Sequence, residues 1–198
     1  MTPERVRSFL EFLSLADTLK HVERRGFTRA PDGTERRENV AEHCWHLAIL
    51  AILMHEEVRT YVDLGRVLSM LAVHDLVEIE AGDTFAYDLA GLETQAERER
   101  AAADIVFRTL PPELNVRLRG LWEEFERQDT AEARFAMACD RTQGFLQQFI
   151  TGGRGWIEAG VTRQASKRRM DPARAVDPAF DDLLRTLYAR AEAGGMLN

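Results

Sequence analysis

Leu64, Leu68, Leu71, Asp75 and Glu78 recur at intervals of three and four residues, so on a helix they share one face. Three leucines make that the core-facing side, yet two carboxylates sit on it. A buried carboxylate is costly unless it is paired, hydrogen-bonded or bound to a metal. Any fold of this chain must therefore bring compensating groups to the same place. The apolar segment before it has the same anomaly: Val40, His43, Leu47, Leu50 and Met54 fall on one stripe, with an imidazole aimed inward. Two such helices side by side would gather His43, His74 and Asp75, a nitrogen and oxygen donor set suited to a divalent transition metal.

Other metal chemistries fit less well. His43 and His46 lie three apart, but "HCWH" lacks the acid-bearing HExxH spacing of a zinc protease. Thiolate zinc sites are excluded because the two cysteines, Cys44 and Cys139, form no CxxC pair. Both read as small buried hydrophobes rather than a disulfide scaffold. His46 and His55 read as structural or partly exposed, and Glu80, off the stripe, as solvated.

Nearly every other segment also has helical period. Residues 3–21 open with Thr2 as an N-cap and Pro3 at the first helical position. An arginine-rich connection follows, "RRGFTRAPDGTERREN", with Pro31-Asp32-Gly33 as a turn. Helices are expected over about 40–57, 64–80, 92–109, 112–127 and 130–150, an irregular stretch over 151–178, and a last amphipathic helix over about 178–194. No strand pattern stands out. The expected fold is all-α, one domain over residues 1–198.

The net charge of −7 argues against non-specific nucleic-acid binding. An anionic ligand must then be drawn in locally, by a cation or a few arginines. No stretch approaches the roughly 20 apolar residues that span a bilayer, and the N-terminus lacks the plan of a signal peptide. A cytoplasmic protein without a membrane partner is expected.

"VAEHCWHLA", "VHDLVEIEAGD" and "RFAMACDRTQGFLQQF", taken together, resemble the HD-domain phosphohydrolases, and within them the 5′-deoxynucleotidase branch most. The resemblance covers residues from about 10 to 160. It implies an HD-domain helical bundle, a homodimer, and a substrate that is a (deoxy)nucleoside 5′-monophosphate. It also implies Asp140 as a fourth ligand beside His43, His74 and Asp75. The residues alone leave Asp140 equally readable as a surface acid paired with Arg141. Mixed N/O ligation admits Mn²⁺, Co²⁺, Fe²⁺, Ni²⁺, Mg²⁺ or Zn²⁺. One ion per chain is expected, because binuclear members use further histidines and none follows His74.

Within the same resemblance Glu78 would position or deprotonate the attacking water, with support of a ligating imidazole as its alternative. Asp83 would orient the sugar or protonate the leaving 5′ oxygen, with Thr84 beside it; its alternative is a turn-capping role after Gly82. Arg24 or Arg25 with Phe27, where relatives often carry tryptophan, would meet the phosphate; a solvent-facing basic loop reads equally well. The later "RQASKRR" reads as a solvated segment. Two rival functions remain: an HD hydrolase of another small phosphate ester or an alarmone, and a non-catalytic metal-containing nucleotide-binding module. Ile79 stands where the alarmone hydrolases carry a second acid.

Overall fold

The computed structural model describes residues 1–197. It is a helical bundle with one small sheet. Helix α7 (Ala131–Ile150) runs through the middle, packed by α2 (Val40–His55), α3 (Leu64–Val73), α6 (Pro112–Arg127), α9 (Arg163–Arg174) and α10 (Pro178–Ala193). Small residues on α7, namely Ala133, Ala136, Ala138 and Cys139, are fully buried and let its neighbours approach closely. Phe135 and Phe145 fill the wider gaps, meeting Phe180 and Trp156 edge-on. Around these elements lie α1 (Pro3–Asp17), α4 (Glu78–Ala81), α5 (Leu89–Val106) and α8 (Arg154–Glu158).

The inward stripe of α2 stands as expected, with Val40, His43, Leu47, Leu50 and Met54 all buried. Its start is fixed by a capping box in which Asn39 accepts from the Glu42 amide and Glu42 accepts from the Asn39 amide.

Three expectations are corrected. The arginine-rich connection is an antiparallel hairpin, β1 (Glu23–Arg29) with β2 (Glu35–Asn39). Its turn is the Pro31-Asp32-Gly33 signal: Gly33 takes φ +86°, and Asp32 accepts from the Thr34 amide and hydroxyl. The strands escaped notice because their apolar content is nearly a single residue, Phe27, which lies between the guanidinium groups of Arg37 and Arg154, each 4.0 Å from the ring centre. Residues 151–178 are not irregular, since α8 and α9 lie there. The inner face of α9 is Ser166, Met170 and Ala173, too weak an apolar stripe to outweigh Pro172 and the flanking glycines.

The third correction bears on the site. The helix expected over 64–80 ends at Val73 and tightens. Leu76, Glu78, Ile79 and Glu80 each donate to the carbonyl three residues back, at 3.0–3.3 Å. In such a turn residues three apart eclipse one another. Asp75 and Glu78 therefore stay on one side, as the periodicity required, although the helix carrying them is not continuous.

Candidate active site

The first turn of α2, the turn that follows α3 and the middle of α7 meet at one point. His43, His74 and Asp75 each offer one ligand atom, and these three atoms all lie within 4.8 Å of one another. Both imidazoles are oriented from behind. His43 Nδ1 donates to Gln143 Oε1 at 2.5 Å, and His74 Nδ1 donates to the Leu71 carbonyl at 3.0 Å. Each ring thereby turns an unprotonated Nε2 toward the common point, the tautomer that a metal ligand needs. His43 Nε2 lies 3.1 Å from Asp140 Oδ1, and His74 Nε2 lies 3.0 Å from Asp75 Oδ1. Yet among the described residues His43 Nε2, His74 Nε2 and Asp75 Oδ2 are buried atoms without a hydrogen-bond partner. Lone pairs converging without protons between them are what a divalent cation satisfies, so the donor set fits one. Asp140 stands to one side of the tight three, in reach of His43.

Gln143 was not foreseen. It is fully buried on α7, and its amide nitrogen also donates toward Glu38 Oε1 at 3.3 Å and His46 Nδ1 at 3.2 Å. Its one available signal was position, three residues after Asp140 on the same helix. With Gln143 and a carbonyl holding the imidazoles, Glu78 is left without that supporting role. Its Oε2 is buried and has no partner.

A cavity of about 350 Å³ opens beside this centre, within the range of small-molecule sites, roughly 300–1,000 Å³. His74, Asp75, Glu78, Asp83, Thr84, Asp140, Arg24 and Arg25 line it. His43 lies behind that lining, fully buried. Phe27 does not reach the cavity; it points to the other side of the hairpin. The register explains why. Between the pairs Glu23–Asn39 and Phe27–Arg37 the first strand bulges, which re-aims Arg24 toward the centre. There Arg24 sits 3.4 Å from Glu38, 3.6 Å from Asp75 and 3.5 Å from Asp83.

Gly82, at φ +74°, turns the chain after α4 so that Asp83 enters the cleft. Arg98, also unforeseen, clamps this loop by donating to the Ala81 carbonyl and the Thr84 hydroxyl, at 2.5 and 2.7 Å. Burial first, then the charges of Asp75 and Asp83, push the Glu78 carboxyl well above the carboxylate range. Burial likewise raises Asp83, against the pull of Arg24. Two acids of the pocket, Glu78 and Asp83, are thus both pushed toward the protonated form, a perturbation typical of acid–base sites.

The HD domain family model matches residues 16–177. The human protein named 5′-deoxynucleotidase HDDC2 is 33% identical over 141 residues, 71% of this chain and 67% of its own length. Its Xenopus laevis counterpart is 32% identical, with 71% and 68% covered. A crystal structure from Magnetospirillum magnetotacticum, described as a predicted metal-dependent phosphohydrolase, superposes with a TM-score of 0.89 at 40% identity, covering 98% of this chain and 96% of that one. The site geometry and these likenesses agree, and the chain belongs to the HD domain family.

Proposed function

We propose that this protein is a metal-dependent hydrolase of nucleoside 5′-monophosphates, the deoxy form favoured, releasing nucleoside and phosphate. The observation that carries the reading is the convergence of two proton-free imidazole nitrogens and Asp75 beside a cavity that also holds Glu78, Asp83 and Asp140. His43, His74, Asp75 and Asp140 would hold one divalent ion, which when bound supplies positive charge to polarise the phosphoryl group. Glu78, buried and unpartnered, would be ionised by the positive charge of the bound ion beside it and would then take the proton of the attacking water. Asp83, held up in pKa by burial, would meet the sugar or protonate the leaving 5′ oxygen. Arg24 would hold Asp75 and Asp83 in place.

Phosphate release from paired 5′ and 3′ mononucleotides, an alarmone and an aryl phosphate, each with several metals, tests the reading. The 5′ isomer should be cleaved much faster than the 3′ isomer. Comparable rates for all would show that no nucleoside pocket exists. Binding without turnover would support the rival binding module.

The same reading includes cytoplasmic residence and a homodimer. Among the described residues no helix is long and apolar enough to cross a membrane. The outer face of α2 exposes Trp45, Ile49, Ile52 and Leu53, an apolar strip of the kind a second copy covers. Sedimentation should give twice the chain mass, and a monomer at all concentrations would refute the dimer.

A further inference from the structure

Half-buried arginines elsewhere in the chain meet a carboxylate: Arg37 with Glu158, Arg119 with Asp104 and Glu123, Arg174 with Asp181. Arg98, without an acid, is used up on carbonyls and a hydroxyl. Arg141 and Arg169 differ. Both line the cavity, on the side of α7 and α9, and among the described residues neither forms an ion pair. Arg141 Nη1 donates to the Arg169 carbonyl at 2.9 Å, while its Nε is buried without a partner.

Two guanidinium groups lining one half-buried wall, neither in an ion pair and one with a buried N–H left unpartnered, are groups that an anion would complete. Arg24, across the cleft, already lies within 3.6 Å of three carboxylates. We propose that Arg141 and Arg169 form the phosphate-binding wall of this cleft, their forked N–H groups taking the phosphate-monoester oxygens that the divalent ion does not. This rests on the mononucleotide reading above. It accounts for how a chain of net charge −7 accepts a dianion, and it gives the arginine-rich segment of α9 a task where the sequence suggested a solvated surface.

The test uses the full metal-loaded chain and inorganic phosphate as the probe, by titration calorimetry, on wild type, Arg141→Gln, Arg169→Gln and the two Lys variants. Loss of hydrogen bonds between charged groups predicts a fall in phosphate affinity of about tenfold or more in each Gln variant, with KM for mononucleotide rising in step. Metal content should stay at the wild-type level. Lysine should restore part of the affinity, because it keeps the charge but not the fork. Should Arg141→Gln fail to fold, Arg169→Gln decides, since it keeps the carbonyl that Arg141 grips. Unchanged phosphate affinity in Arg169→Gln, metal loss parallel to the affinity loss, or a wild type that binds no phosphate would each overturn the proposal. If phosphate affinity falls in the variants while no mononucleotide is ever hydrolysed, the arginine wall stands and the substrate reading fails. The opposite pattern separates them the other way.

Discussion

Gln143→Leu isolates the contact that aims His43. The replacement is close in volume, so little cavity is left, but His43 Nδ1–H loses its acceptor and Glu38 loses a donor. A buried polar group left unsatisfied costs about 1–3 kcal/mol. In a chain of this size each kcal/mol moves Tm by roughly 2–4 °C, so a fall of about 2–12 °C is expected. The imidazole is also released to rotate or change tautomer, and removing such an outer partner typically costs about 10–100-fold in metal affinity. Gln147→Leu provides the control. Gln147 is a buried glutamine one turn further along α7 whose amide donates to the Phe27 carbonyl at 2.6 Å, away from the imidazoles. Both variants should lose comparable stability, but only Gln143→Leu should lose metal affinity, measured by chelator competition with Mn²⁺ or Co²⁺. Equal metal affinity in the two variants would refute the claim that Gln143 orients a ligand.

Further outcomes follow from the same geometry. Asp75→Ala should lose most of its metal by elemental analysis, and full occupancy would remove Asp75 from the ligand set. Glu78→Ala should keep its metal and still bind mononucleotide, while single-turnover rate falls on the order of 10²–10⁴-fold, the usual cost of a positioned acid or base; metal loss along with activity would place Glu78 among the ligands instead. In the metal-free protein the buried Glu78 holds a proton that the unfolded chain releases above 4.5. Its contribution to stability is complete below that pH and is lost as pH rises through the folded value. Glu78→Gln should therefore gain on wild type in Tm from about pH 4.5 upward, with no gain in more acid solution, and a pH-independent difference would contradict the burial argument.

The parts of the molecule legible in the sequence are those governed by helical period. The stripe from Val40 to Met54 put His43 inside because a continuous helix preserves its periodicity along its length. Asp75 and Glu78 survived even the break after Val73, since a spacing of three keeps one side in both helix types. What escaped depends on contacts between distant segments. Gln143 matters only because α7 lies against α2. Arg24 reaches the centre through a bulge in a hairpin whose strands show no apolar alternation, and Phe27 is held away by Arg37 and Arg154 from the far side. Arg169 looked solvated because α9 has so faint an apolar stripe that no helix was expected there.

One divalent ion held by His43, His74, Asp75 and Asp140 would make this chain a 5′-mononucleotide hydrolase. Metal-free protein titrated with Mn²⁺ or Co²⁺, with phosphate release from a deoxynucleoside 5′-monophosphate followed at each addition, tests it most directly. Activity should rise in proportion to bound metal and level off at one ion per chain, and His43→Ala should show neither binding nor release. Phosphate release that is full without metal, or absent at every loading, would remove the metal-dependent hydrolase assignment.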